Sequence, residues 1–290
     1  MTELRTRMIQ EMELRRFAPM TQRAYVRCVR RLTAFYRRPP NELSLEEIRQ
    51  YFHRMIVEEK LASSTTNQAA AAITFFYKHV LDWTRFNLKI RQKQSGRLPQ
   101  PLSREEVEQL IAAAHRPIDR VVLMTAYGTG MRVGELVRIK CTHIESDRML
   151  LRVEQGKRGK DRYTLLSPQL LNEMRRYWKH SKGRSSIWLF PSRRKQWKHP
   201  ITVSMAQRIF NGCKDRSGIK RGRGIHTLRH SFATHLLEAG VDIRTIQMLM
   251  GHGDIKTTMR YLQVTQKHIE SIQSPFTLLR LPRREELDEE

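Results

Sequence analysis

The sequence predicts a mainly α-helical protein: an N-terminal helical bundle followed by a larger, mainly helical domain holding a small antiparallel β-sheet. Three observations predict it. Apolar residues recur at helical spacing through the first ninety positions. A basic stretch with Ser-Gly and two prolines, LKIRQKQSGRLPQPL at 88–102, then has the composition of an exposed linker. Beyond it a single region has β character, and helical patterns lie on both sides of it.

Taken in order, Tyr25, Val26, Val29, Leu32, Phe35 and Tyr36 form the buried stripe of an early helix, which Pro39-Pro40 breaks. Ser44 with Glu47 three residues on is a capping box, opening a helix through Ile48, Tyr51, Phe52 and Ile56. Another helix runs from about Ser64 through NQAAAAITFFYKHVL. Residues 1–90 therefore form one domain and 91–102 a linker. Ser103 with Glu106 is a second capping box and opens the next domain, 103–275. There MLLRVEQ and DRYTLLS bracket the turn GKRGK as a hairpin, with Gly156 and Gly159 permitting the bend. Helices are expected at 168–180, 203–216, 226–239, 242–250 and 254–263, and a charged tail at 276–290.

Charge narrows the function. The 290 residues carry 54 Lys+Arg against 29 Asp+Glu, a formal net charge of +25. Folding needs no such field, but a polyanion is drawn to it. The basic residues are interleaved along helices, as in RAYVRCVRRL and RRYWKHSKGR, which favours folded domains lying against nucleic acid over a basic arm. Membrane-surface binding is the competing reading, and no long amphipathic basic helix stands at an end to support it. No apolar run approaches a membrane span, and MTELRTRMIQEMELRR is not a signal peptide. Cys28, Cys141 and Cys213 are widely separated, without metal-ligand spacing, and read as reduced thiols of a cytoplasmic protein.

The chemistry concentrates in the last third: HTLRHSFATH, then LMGH, then TTMRY. Wound at about 100° per residue, 226–239 puts Leu228, Phe232, Leu236 and Ala239 on one arc. His226, Arg229 and His230 fall on the arc beside it, and Thr227, Thr234, His235 and Glu238 on a polar side. An arginine bordering the buried face needs a partner, and a phosphate would serve. A zinc site is disfavoured: His226 and His230 are at i, i+4, but no HExxH glutamate accompanies them and a guanidinium lies beside them. His252 occupies a tight turn between Gly251, which ends one helix, and Asp254, which can cap the next. Tyr261 lies roughly 100° from the stripe of Ile255, Met259 and Leu262, so its phenol need not be core. Arg132 follows Gly128 and Gly130 at a helix start, with Glu135 one turn on, a spacing that also suits a plain surface ion pair. Lys157 sits on the exposed hairpin turn, where a solubilising lysine is the commoner occupant. GTGMRVG is not GxGxxG and no GxxxxGK[ST] occurs, so neither ATP nor NAD is expected.

The ordered set Arg132, Lys157, His226-x-x-Arg229, His252 and Tyr261 resembles the tyrosine recombinase (phage-integrase) family, most closely its compact Xer-type members. The likeness covers essentially the whole chain and implies a SAM-like core-binding bundle, a linker and a catalytic domain. It implies that Tyr261 attacks a DNA phosphate, giving a 3′-phosphotyrosyl bond and a 5′-hydroxyl. Arg132 and Arg229 would stabilise the phosphorane, with His226 and His252 hydrogen-bonding it or moving protons. Lys157 would be the general acid and Glu135 would orient Arg132. One ester replaces another, so no cofactor and no metal is implied. The family commonly has Gly where this turn carries Arg158. Lys160 is a second candidate, less favoured because Lys157 directly follows Gly156. The arm-site-binding domain of some phage integrases is expected to be absent.

The implied partners are a specific double-stranded DNA site and further copies of the chain, a tetramer on two duplexes, with SPFTLLRLP docking on a neighbour. Two other readings share the fold: a topoisomerase of type IB working alone, and a non-catalytic DNA-binding protein.

Overall fold

In the computed structural model, residues 2–90, 100–154, 161–181, 186–259 and 261 are described. The chain divides into two units, Met1–Arg97 and Leu98–Glu290.

The first unit is a helical bundle of α1 (Thr2–Leu14), α2 (Pro19–Tyr36), α3 (Leu45–His53) and α4 (Ser63–His79). The capping box that opens α3 is made in full: the Ser44 side chain accepts from the Glu47 N–H, and the Glu47 carboxylate takes the Ser44 N–H. α3 then loosens into one π-helical turn, Arg54–Glu58, so the helix does not continue regularly to its expected end. Met8, Met12, Leu32, Ile48, Phe52, Ile73 and Phe76 meet in this unit's own core. Of its apolar stripe α2 buries Val29 and Leu32 but leaves Phe35 38% exposed, and it turns Arg23, Arg27 and Arg30 outward.

The second unit begins with α5 (Arg104–Ala112), α6 (Pro117–Thr129) and the single turn α7 (Val133–Leu136). Three strands follow, β1 (Ile144–Glu145), β2 (Leu150–Val153) and β3 (Arg162–Leu165), paired antiparallel in the order β1-β2-β3. The expected hairpin is β2 with β3, in the register Leu151 to Thr164 and Val153 to Arg162. Its turn lies outside the described residues, and with it Lys157, Arg158 and Lys160. Then come α8 (Pro168–His180), α9 (Val203–Ser217), α10 (His226–Glu238), α11 (Ile243–Met250) and α12 (Lys256–Met259).

α10 departs from the winding above. Thr227, Thr234 and His235, expected on a polar side, are buried along with Leu228, Phe232 and Leu237. The helix is central, packed against both α6 and α11, so its polar side too is mostly covered, with His226 and Glu238 exposed at its ends. Two of its polar side chains are satisfied internally: the Ser231 hydroxyl donates to the Thr227 carbonyl and accepts from the Leu102 N–H, and His235 Nδ1 meets the Tyr127 hydroxyl at 2.9 Å, while the buried Thr234 hydroxyl finds no partner among the described residues. Two cores flank it: a large one running from Leu102 to Leu228, and a small one of Phe232, Ala233, Leu237, Ile246, Met250 and Tyr261. Of the last helix, expected at 254–263, residues 260, 262 and 263 lie outside the described residues. α12 is four residues long and Tyr261 stands in a turn beyond it, its N–H bonded to the Thr258 carbonyl. The tail at 276–290 lies outside the described residues.

Candidate active site

Four pieces of chain converge at the C-terminal end of α11, and each delivers a side chain for a local reason. α6 ends on Gly130, whose φ of +59° gives the left-handed cap that reverses the chain. A Cβ there would lie 2.2 Å from Phe232 Cδ1, so only glycine fits. The reversal puts Arg132 at the start of α7, where its own N–H donates to Glu135 Oε2 at 2.9 Å. Arg132 Nη1 donates to Glu135 Oε1 at 3.0 Å, so the expected i, i+3 pair is made, but in a half-buried cleft rather than on open surface.

Arg229 is 2 % exposed on α10. Its Nη1 donates to the Gly130 carbonyl and its Nη2 to the Met250 carbonyl, both at 2.6 Å. Two backbone acceptors thus offset the loss of hydration that burial of a guanidinium entails. Burial first, then the neighbouring Arg132 charge, pushes its pKa down to about 9, which still leaves it charged at neutral pH.

α11 closes with Gly251 at φ +61°. Its last carbonyls, at the negative end of the helix, are each taken by a guanidinium. Leu249 accepts from Arg162 Nε at 3.0 Å, Met250 from Arg229, and Gly251 from Arg132 Nη2 at 2.8 Å. Arg162 also forks onto Glu135, with Nη1 to Oε1 at 3.0 Å and Nη2 to Oε2 at 2.7 Å. Burial alone would raise the Glu135 pKa, but the hydrogen bonds and charges of Arg162 and Arg132 outweigh it and hold it at about 2.

Three imidazoles and the phenol complete the pocket. His226 opens α10 with its ring edge exposed, yet packing around it, then Arg229 and Arg132, lowers its pKa. The His226 and His230 rings are 4.9 Å apart, edge to face. His252, in the turn expected of it, sets Nδ1 2.8 Å from Thr258 Oγ1. Burial and the nearby guanidiniums bring its pKa down to about 3, so the ring is neutral and offers one N–H and one lone pair. Tyr261 stacks on His252 at 6.5 Å between centroids, and its hydroxyl lies 3.0 Å from His230 Nδ1. Its ring is core after all, 3 % exposed among Phe232, Leu237 and Met250, while its oxygen faces an imidazole rather than hydrocarbon.

Arg132, Glu135, His226, Arg229, His252 and Tyr261 are therefore neighbours, although 129 positions separate the first from the last. Lys157 lies outside the described residues. Two further residues belong to the pocket. His230 lies on the right arc of its helix, one turn after His226, a spacing that by itself suggests only a metal ligand. Arg162 leads the strand pattern DRYTLLS, and nothing local in the sequence marks its role.

Arg132 and Arg162 share one buried carboxylate, Glu135, while Arg229 bonds only backbone carbonyls, which leaves an excess of positive charge beside the phenol. The proteins that this chain matches define a class, the tyrosine recombinases, enzymes that break and rejoin DNA strands. The chain belongs to the phage integrase family: that family's model matches residues 100–268, and the model of the phage integrase N-terminal SAM-like domain matches 4–85. A putative integrase/recombinase of Sinorhizobium fredii, y4qK, is 39% identical over 97% of this chain and 91% of its own length. Tyrosine recombinase XerA of Pyrococcus horikoshii is 41% identical over 59% of each chain. The fold is shared with a λ integrase dimer bound to a core site, at TM-score 0.69 and 18% identity, over 89% of this chain and 96% of that one.

Proposed function

We propose that the protein is a site-specific DNA recombinase that cuts and rejoins double-stranded DNA through a covalent 3′-phosphotyrosyl intermediate on Tyr261. The observation that carries this reading is the phenol oxygen, 3.0 Å from His230 and beside His252, in a pocket with three guanidiniums to one carboxylate. A phosphodiester entering the pocket meets Arg132 and Arg229 at its non-bridging oxygens, and these stabilise the charge that grows on a pentacoordinate phosphorus. The Tyr261 oxygen attacks, its proton passing to a neighbouring imidazole, and the bond to the 5′-oxygen breaks. His226 and His252, held neutral, hydrogen-bond the phosphorane or carry protons. Lys157 gives its proton to the leaving 5′-oxygen. Reversal by a different 5′-hydroxyl rejoins the strand, and the ester energy is conserved throughout.

The domains divide the work. Residues 1–90 form a core-binding domain, 91–102 a linker, 103–275 the catalytic domain, and 276–290 a tail that docks on a neighbouring copy. For the first of these the support is electrostatic. Arg23, Arg27 and Arg30 recur along one face of α2, exposed and with no acidic partner among the described residues, as a helix lying against phosphates requires. Recombination needs two duplexes and four active sites, so the working form is a tetramer in the cytoplasm, where the DNA is.

A pool of nicked duplexes tests the reading. After mixing and denaturation, the wild-type chain carries covalently bound DNA and Tyr261→Phe carries none. Relaxation of any supercoiled plasmid without site preference would instead make it a lone topoisomerase.

A further inference from the structure

Arg162 has no part in the chemistry above, yet it makes three hydrogen bonds to the framework of the pocket, as many as Arg132. It leads β3, whose alternate side chains face opposite ways: Arg162 and Thr164 inward, Tyr163 and Leu165 outward. Its side chain is 11% exposed. Both terminal nitrogens grip Glu135, at 3.0 and 2.7 Å, and Nε caps the Leu249 carbonyl at 3.0 Å. Its stem lies against Gly251, where an added Cβ would fall 2.8 Å from Arg162 Cδ.

Those contacts join the two parts that set the pocket. Glu135 orients Arg132 through Nη1, and Arg132 in turn holds Gly251, the residue before His252. Arg132 alone gives each carboxylate oxygen one hydrogen bond, from its own N–H at 2.9 Å and from Nη1 at 3.0 Å; the Arg162 fork adds a second to each and fixes the plane of the group. All three nitrogens of Arg162 donate to internal acceptors, two of them to the same carboxylate that holds Arg132, so the residue reaches the pocket through Glu135 and the end of α11.

We propose that Arg162 is a positioning residue for strand cleavage, bracing Glu135 and the end of α11 so that Arg132 and His252 are held in register on the phosphate. The inference rests on the recombinase reading given above. It predicts loss of rate rather than loss of DNA affinity, because Arg162 contacts no substrate. Residues that orient a site through its immediate ligands typically cost about 10–100-fold when removed.

The test uses the full-length chain and a nicked duplex already shown to trap on the wild type. Failure of the wild type to form adduct on every duplex of the pool would overturn the recombinase reading and this one with it, whereas a wild type that traps confines any failure to Arg162. On a trapping duplex, Arg162→Gln at saturating protein forms adduct about 10–100-fold more slowly, with its DNA Kd within about twofold of wild type. Arg162→Lys keeps the charge and stem but not the fork. It recovers only part of the rate, and it carries the test if the glutamine variant melts too low to assay. Glu135→Gln with Arg162→Gln is no slower than the slower single variant, since both act through one contact. A duplex with a 5′-bridging sulfur, whose thiolate leaves without a proton, does not restore the Arg162→Gln rate. An unchanged saturated rate, or a weakened Kd alone, would make Arg162 either idle or a DNA contact. Multiplying losses in the double variant, or rescue by the sulfur substrate, would likewise overturn the assignment.

Discussion

Arg229 is the residue on which the pocket turns, because its guanidinium ties α10 to the ends of both α6 and α11 through two 2.6 Å bonds. Lysine has no fork and could satisfy one of those carbonyls at most. Arg229→Lys should therefore lower the single-turnover adduct rate by about 10²-fold or more while leaving the charge in place. Protonation gives a second check. The His252 pKa falls from 6.5 unfolded to about 3 folded, so the native state binds fewer protons and stability declines as pH drops below 6.5 toward 3. Glu135 moves from 4.5 to about 2, so its contribution is present above 4.5 and fades as pH falls to about 2. Denaturation at stepped pH should show His252→Gln flattening the upper part of this decline and Glu135→Gln the lower; an unchanged profile in either would contradict the assigned environments. The residues on helices and turns were readable because short motifs carry them: His226 and Arg229 within one helical turn, Arg132 with Glu135, Gly251 before His252. Arg162 was not readable, since its partners Glu135 and Leu249 are 27 and 87 positions away and nothing local demands them.

At the scale of elements, capping and periodicity were reliable and facing was not. Both Ser-Glu capping boxes are made, at α3 and α5, because everything they need lies within four residues. β3 shows the opposite. By hydropathy Tyr163 and Leu165 should be inside, yet each is 40% exposed, while Thr164 donates to the Thr129 carbonyl at 2.7 Å. The backbone ends that this face must satisfy outrank apolar burial there, and those ends belong to distant segments. α10 is similar: the helix is where it was expected, but burial of its polar side depends on α6 and α11, which its own thirteen residues cannot announce. The junction after α6 gives the sharpest element-level prediction. Gly130→Ala meets both a left-handed φ and the Phe232 ring, and should cost about 2–4 kcal/mol in urea denaturation. A change under about 0.5 kcal/mol, the usual scale of a benign surface substitution, would mean that the turn is not as tight as described.

For the whole molecule, two units with separate cores and a net charge of +25 set the expectations. Ser44→Ala removes a cap in the first unit and should lower that unit's stability by about 1 kcal/mol while leaving the melting of the second untouched. The charge, legible from composition alone, predicts steeply salt-dependent DNA binding. If some six to ten phosphates are contacted, affinity should fall about 10³–10⁵-fold between 50 and 200 mM salt. A flat salt response would remove the phosphate backbone as the main ligand. The central claim is chemical, and mapping the trapped adduct tests it most directly. Nuclease trimming, proteolysis and mass spectrometry of the wild-type complex should place a nucleotide, joined through its 3′-phosphate, on the peptide containing Tyr261. A nucleotide joined through its 5′-phosphate, or attached to any other side chain, would contradict it.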